Sequence, residues 1–329
     1  MKSKLVIVLF VVMISTLGCK GKRVDQNHPP LEKITILLDW TPNTNHTGLF
    51  VAKDLGMYKA QGLEVEIIQS AEGGVSQLIG AEKAEFGVSY QEEVTLARLG
   101  NIPIKAISAI IAHNTSGFAS PADKNIKNPK DFEGRRYGGW GSPSEEEILK
   151  GLMEKYKADY KKLTIVSIGS SDFFSSIKRD IDFAWIFWGW DGIASELKGV
   201  KLNYISLRKE DPKLDYYTPL IIASEKTLLE KPDMVRRFLK ATHDGYQYAI
   251  LNPPLAAKIL EKANPEADKI LLLKSQEYLS GQYKGDSKQW GVMELSRWQN
   301  YTDWLYEHNL IQNKIDNEKA FTNEFLPLP

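Results

Sequence analysis

Aromatic and polar side chains gather in five short segments of this sequence, each placed where a predicted strand ends. Asp39-Trp40-Thr41-Pro42-Asn43-Thr44-Asn45-His46 is a turn feeding a helix, with a Trp and two amides. Ser89-Tyr90-Gln91-Glu92-Glu93 joins a phenol to two carboxylates, and Asn114-Thr115-Ser116-Gly117 is a run of small polar groups. Gly138-Gly139-Trp140-Gly141-Ser142 opens a helix, where free backbone N–H groups can hold an oxygen or an anion. Trp185-Ile186-Phe187-Trp188-Gly189-Trp190-Asp191-Gly192 adds three Trp and a carboxylate. These residue types suit recognition: aromatic faces to stack on a flat ring, carboxylates and amides to hydrogen-bond its edge. Each alone has a folding explanation, such as a helix cap or a Trp wedged under a loop. Their common placement beyond strand ends, where open parallel sheets bind ligands, is the stronger signal.

Motifs for bond-breaking chemistry are missing. There is no Gly-x-x-x-x-Gly-Lys-Ser/Thr phosphate loop and no Gly-x-Ser-x-Gly nucleophile elbow. The five histidines, at 28, 46, 113, 243 and 308, never fall at helical metal-ligand spacing. His308 shares a helical face with Trp298, Tyr301 and Leu305, which reads as core packing. The one cysteine, Cys19, excludes a disulfide framework, an iron–sulfur cluster and a Cys-rich zinc site. Lys plus Arg (42) balances Asp plus Glu (42), so no basic excess points to nucleic acid. Arg135 and Arg136, the only arginine pair near a site segment, begin a strand rather than end one and read as surface residues. With 43% hydrophobic and 26% charged residues the composition is globular, and 329 residues suit two domains. Eight Trp and fourteen Tyr exceed what its core requires.

The elements that must position the five segments alternate. Residues 33–39 read as a strand, 47–60 as a helix stopped by Gln61-Gly62, and 63–67 alternates strictly, as a half-buried strand does. A helix at 75–81, a strand at 86–90, a helix at 92–99 and a strand at 102–111 follow. Repeated β-α-β predicts an α/β fold with a mostly parallel sheet under helices. A second unit starts after Pro121-Ala122-Asp123, with a strand at 135–139. Ser142 then caps a helix, Pro143 takes its first position and Glu145 completes a capping box. Strands are predicted at 163–168, 183–187 and 220–223, and helices at 234–250, 254–262 and 290–308. The stretch 82–88 echoes 178–184 in pattern, which predicts two similar halves.

The N-terminus predicts export. Lys2 and Lys4 precede an apolar run that ends at Ser15-Thr16-Leu17-Gly18-Cys19, too short for a membrane span. A lone cysteine after a small residue at the cut resembles a bacterial lipoprotein signal, with Cys19 acylated. Residues 1–18 are then the signal peptide and 19–30 a polar tether.

Asp39 to Leu49, then Ala52-Lys53-Asp54-Leu55-Gly56-Met57-Tyr58, closely resembles the opening of thiamine-precursor binding proteins. These are substrate-binding lipoproteins of ABC importers, in the wider group with sulfonate and nitrate binders. The resemblance runs from about residue 31 to the C-terminal helices, through Gly62-Leu63-Glu64-Val65 and Trp188-Gly189-Trp190-Asp191-Gly192. It implies a two-lobed periplasmic-binding-protein-like fold of type II with two crossing hinge strands. Lobe one is expected at 31–120 plus 222–329 and lobe two at 121–221. The Asn-Thr-Asn-His run and the Trp-Gly-Trp segment favour a pyrimidine, specifically formylaminopyrimidine, with hydroxymethylpyrimidine and thiamine as alternatives. The family commonly has Glu where this chain has Asp191, a reach shorter by one methylene.

The expected ligand residues are Trp40, Asn43, Asn45, Tyr90, Glu92, Ser116, Trp140, Ser142, Trp188, Trp190 and Asp191. Trp40, Tyr90 and Trp188 are the expected aromatic walls; Asp191 is the first choice for the ligand carboxylate and Glu92 the second. Asn45 and the Ser142 N–H suit a formyl oxygen. No catalytic residue, metal or cofactor is expected. The implied partners are an ABC permease with its ATPase and, through the lipid, the outer face of the cell membrane; the chain is expected to be a monomer. Fungal pyrimidine synthases of similar fold are the enzyme alternative. They consume pyridoxal phosphate and a histidine, using a lysine that should lie near 87–93, where this chain has none, and a cysteine cluster absent after Cys19. A sulfonate or riboflavin binder is the remaining alternative.

Overall fold

The structure is a computed structural model that describes residues 30–70, 74–169 and 171–328. The signal peptide at 1–18, Cys19 and all but the last residue of the 19–30 tether lie outside the described residues. The ten strands among the described residues are β1 (Glu32–Leu38), β2 (Leu63–Gln69), β3 (Phe86–Ser89), β4 (Ile104–Ala109), β5 (Ser116–Pro121), β6 (Arg136–Gly139), β7 (Thr164–Ser167), β8 (Phe183–Phe187), β9 (Leu202–Ser206) and β10 (Leu220–Ser224). They form two five-stranded sheets, ordered β2-β1-β3-β10-β4 and β7-β6-β8-β5-β9. Each has three parallel strands, then one antiparallel strand, then an edge strand, so the two sheets repeat one plan.

Strand chemistry explains the layers. Ile34, Ile36 and Leu38 of β1 point into one core while Leu37 points into another, the period of two that a strand buried on both faces requires. The first core is closed by the helix Pro232–Leu251, whose buried Met234, Val235, Phe238, Leu239, Thr242, Gly245 and Tyr246 form one face. That helix crosses Thr47–Asp54 at two glycines. A Cβ on Gly245 would lie 2.1 Å from the Gly48 carbonyl oxygen, and one on Gly48 would lie 2.3 Å from the Tyr246 ring. The backbones meet only because neither carries a side chain.

Two links join the sheets: 110–115 leads from β4 to β5, and 207–219 returns from β9 to β10. Residues 116–120, assigned by sequence to the first lobe, therefore belong to the second sheet, where β5 pairs with β8 and β9. The links are tied to each other. His113 Nδ1 meets Asp215 at 2.7 Å, His113 Nε2 meets Asp286 at 2.8 Å, and the Asn114 N–H donates to Asp215 at 2.9 Å. Arg297 donates to the Ala112 carbonyl and lies 3.7 Å from Asp215.

The C-terminal helix starts at Leu295, not at 290 as its apolar pattern predicts; Gly291, at φ +95, and the residues around it hold the chain in a turn. This helix, Leu295–Glu307, serves both sheets. Trp298 lies in the core of the first, with Val75, Ile79 and Leu220, while Tyr301, Trp304 and Leu305 lie in the core of the second, with Tyr137, Leu149 and Phe183. The sequence reading, which gave 222–329 wholly to lobe one, misses this division. Among the described residues no helix is long and apolar enough to cross a membrane.

Candidate functional site

The five polar and aromatic segments come together through contacts that run between the two sheets. Four follow β1, β3, β6 or β8; the fifth, 114–117, leads into β5 rather than out of a strand. Because β5 is antiparallel to β8, its start (Ser116) pairs with the end of β8 (Phe187), and the segment arrives at the same edge.

Direct contacts join all five. Tyr90, after β3, stacks on Phe187 of β8 at 6.3 Å with ring planes 23° apart, and its hydroxyl donates to Asp39. Ser142 Oγ donates to Glu93 at 2.6 Å, linking the second sheet to the helix Gln91–Leu99. Trp140 lies edge-on to Trp185 at 5.4 Å, and the Trp188 N–H donates to the Thr115 carbonyl at 3.1 Å. The Ser275 hydroxyl donates to the Gly189 carbonyl and so accepts from Thr44 at 2.5 Å, joining the first turn to the last.

The first turn is tied down by hydrogen bonds. Asn43 caps the turn Thr44–His46, its Oδ1 accepting from the Asn45 N–H at 2.8 Å. The carbonyls of Thr44 and Asn45 accept from Tyr283 and Tyr246, and His46 Nε2 bonds Asp39 at 2.7 Å. Burial works to raise the Asp39 pKa, but the His46 imidazole and the Tyr90 hydroxyl outweigh it and hold the carboxyl below its usual range.

The last segment winds as a single π turn, Trp188–Gly192. Gly192 allows it, since a Cβ there would lie 2.4 Å from the Trp188 ring. Trp188 is tilted against Tyr204 at 4.7 Å, and Trp190 and Asp191 are half-buried in the turn. Burial, together with the like charge of Asp172, pushes the Asp191 carboxyl up to about 7 against backbone hydrogen bonding near Phe187.

Several expected ligand residues have other employment. The N–H groups of Trp140, Gly141 and Ser142, read from sequence as free, are taken by the Glu145 carboxylate at 3.2, 2.7 and 3.0 Å. The same carboxylate accepts from Tyr137 at 2.5 Å and is almost wholly buried. The Ser142 N–H is therefore not open to a formyl oxygen. Ser116 donates from both N–H and Oγ to Asn114, at 2.8 and 2.6 Å, and Asn43 is a cap; both are structural. Glu92 is 4% exposed and lies by Tyr216 and Tyr301 of the second core, with Oε2 lacking a hydrogen-bond partner. Burial first, and Glu93 second, push its carboxyl up to about 8. Trp40, Tyr90, Trp140, Trp188, Trp190 and Asp191 remain as aromatic and acidic surface, with Asn45 beside them; Trp40 (38%) and Trp140 (41%) are the exposed members.

Sequence reasoning missed Phe187, Tyr204 and Glu145 as parts of this arrangement, and did not select Asp39 or His46. Phe187 ends a strand that reads simply as apolar, and the strand that carries Tyr204, Leu202–Ser206, is not among those the sequence predicts. Asp39 and His46 carried a signal in the turn they flank. Among the described residues no group of three or more His, Cys, Asp or Glu is placed to hold a metal ion. The five segments contain no lysine to hold an aldehyde cofactor as a Schiff base.

The formylaminopyrimidine-binding protein of Halalkalibacterium halodurans is 24% identical over 341 aligned positions, covering 98% of this chain and 99% of that protein. The 4-amino-5-hydroxymethyl-2-methylpyrimidine phosphate synthase of Legionella pneumophila is 24% identical over 309 positions, 90% of this chain and 92% of the other. Among solved structures, the alkanesulfonate-binding protein SsuA from Xanthomonas axonopodis pv. citri, bound to MOPS, superposes with a TM-score of 0.68 at 10% identity, covering 90% of this chain and 99% of that one. The fold is thus that of the periplasmic binding proteins. Residues 43–256 match the family described as NMT1/THI5 like, and the chain belongs to that family.

Proposed function

We propose that this protein is the extracytoplasmic solute-binding component of an ABC importer. In this reading it captures a thiamine pyrimidine precursor, formylaminopyrimidine, between its two sheets and passes it unaltered to a permease. The observation that carries the reading is the meeting of Tyr90 and Phe187 across the two sheets, with the half-buried Asp191 in the turn that follows Phe187. A flat ring held there gains ~0.5–1.5 kcal/mol from each well-placed aromatic face beyond burial. A carboxylate accepting from an exocyclic amine adds ~1.5–3 kcal/mol. Asp191 is the better carboxylate, since Glu92 is enclosed by the second core. The relative from Halalkalibacterium halodurans, named for the same ligand and matched end to end, supports the reading. Acylation of Cys19 would hold the protein at the outer face of the membrane, and closure of the lobes about 110–115 and 207–219 would mark the loaded form for the permease.

Relatives named as pyrimidine phosphate synthases support a second reading, an enzyme. The residues here do not fit its aldehyde cofactor. No amine is present in the five segments, and the helix start that would take a phosphate is occupied by Glu145. Calorimetry with formylaminopyrimidine, hydroxymethylpyrimidine, thiamine, riboflavin and taurine tests the proposal. Binding of the formylaminopyrimidine, recovered by mass spectrometry with its mass unchanged, supports a carrier. Binding of taurine alone, or a changed ligand mass, overturns it.

A further inference from the structure

The hydrogen bonds below Tyr90 determine where its hydroxyl proton goes. The chain begins at Asn43, whose backbone N–H donates to Nδ1 of His46 at 3.2 Å. An imidazole nitrogen that accepts a hydrogen bond carries no proton, so the ring proton sits on Nε2 and is donated to Oδ1 of Asp39 at 2.7 Å. The His46 ring is fully buried, which leaves water no way to scramble this order. Asp39 accepts from both sides: Oδ1 takes the His46 Nε2–H and Oδ2 the Tyr90 hydroxyl. Burial, reinforced by Asp39, pushes the phenol well above its usual range, so Tyr90 keeps its proton.

We propose that Tyr90 meets a ligand only as a hydrogen-bond acceptor, because Asn43, His46 and Asp39 orient its single proton inward. Tyr90 thereby selects a flat heterocycle that presents an N–H donor, such as an exocyclic amine, over the same ring bearing a carbonyl oxygen. Other hydroxyls at the site follow suit. Ser142 donates to Glu93 at 2.6 Å, Tyr204 to the Thr115 carbonyl at 2.8 Å, and Ser116 to Asn114 at 2.6 Å. With the Glu145 carboxylate on the N–H groups of 140–142, the polar surface left to a ligand is rich in acceptors. The inference deepens the proposed function and rests on it. Asp39 and His46 act through Tyr90 and are positioning residues.

The test compares two ligands by calorimetry: formylaminopyrimidine, with its 4-amino group, and the isosteric 4-oxo analogue. Wild-type protein should prefer the amine by about tenfold or more, since the oxo group sets acceptor against acceptor. Tyr90→Phe should weaken the amine and strengthen the oxo ligand by removing the opposing acceptor, shrinking the preference. Asp39→Asn should reverse it. The His46 Nε2–H holds the new amide by its oxygen, the amide nitrogen then donates to Tyr90, and the phenolic proton is released toward the ligand. A merely structural role for Asp39 would weaken both ligands equally. Wild-type affinities within threefold of each other overturn this inference and leave the proposed function standing; binding of neither pyrimidine overturns both. If Asp39→Asn does not fold, as judged by its thermal transition, retention of the full preference by Tyr90→Phe still overturns it.

Discussion

Replacing Glu145 by Ala should both destabilise the protein and create an anion site where none is open now. The carboxylate collects four donors: the N–H groups of Trp140, Gly141 and Ser142, and the Tyr137 hydroxyl. Tyr137 is fully buried, so its orphaned hydroxyl costs about 1–3 kcal/mol. Loss of the capping box at Ser142 adds roughly 1 kcal/mol, while the three N–H groups lie near solvent and find water. Burial raises the Glu145 pKa, so the wild-type carboxylate carries its own desolvation penalty, and the net loss falls at about 2–3 kcal/mol. At ~2–4 °C per kcal/mol for a chain of this class, the melting temperature drops by about 5–10 °C. The assay is differential scanning calorimetry in sulfate against chloride at equal ionic strength. General salting-out by sulfate raises both proteins alike, whereas a sulfate seated on the vacated N–H groups raises only the variant, by ~2.7 kcal/mol at a hundred times its Kd. A variant as stable as wild type, or one that gains no more from sulfate than wild type does, refutes the reasoning.

Asp191→Asn should weaken the pyrimidine tenfold or more, and wild-type affinity should rise as pH climbs through about 7 and the carboxylate forms, a dependence absent in the variant by calorimetry. His113 has its pKa raised, chiefly by its hydrogen bond to Asp215, so the stability it contributes is complete below its unfolded value near 6.5 and is lost as pH rises through the folded value. His113→Gln should flatten the melting temperature across the window between those two values; an unchanged pH slope would count against the tie between the two links. Glu92→Gln should have little effect at pH 4.5 and stabilise at pH 8, because the raised carboxyl favours folding while protonated and loses that advantage between about 4.5 and about 8. Equal melting shifts at both pH values would discard the buried-acid argument. Gly245→Ala places a Cβ 2.1 Å from the Gly48 carbonyl oxygen and should cost roughly 2 kcal/mol or more by urea denaturation, with a fully stable variant showing that the two helices can separate freely.

Local periodicity carried most of the fold. The apolar run from Phe183 to Phe187 and the strict alternation after Leu63 mark their strands, because burial on one or both faces writes directly into residue order. The antiparallel strands β5 and β10 were not legible as such, since pairing direction depends on partners a hundred residues away. The same distance hid the two allegiances of Leu295–Glu307, whose single apolar stripe does not say that two cores share it. At the site, residue types announced aromatic recognition, but not which polar groups were already engaged. Ser142 and Glu145 are legible as a capping box, yet nothing local says that the carboxylate also reaches the N–H groups of Trp140 and Gly141. His46 was not selected from the sequence; its bond to Asp39, with Nδ1 taken by the Asn43 N–H, is visible only in the folded turn.

The helix Leu295–Glu307 also bears on the order of events during synthesis. A chain emerging N-terminus first can form strands and early helices as they appear, but Trp298 completes one core and Trp304 the other, and both arrive in the last tenth of the polypeptide. Neither half reaches its final packing until translation is nearly finished. In the exported protein proposed above, such late closure would be an advantage, because it would postpone aromatic packing that a translocation motor would otherwise have to pull apart.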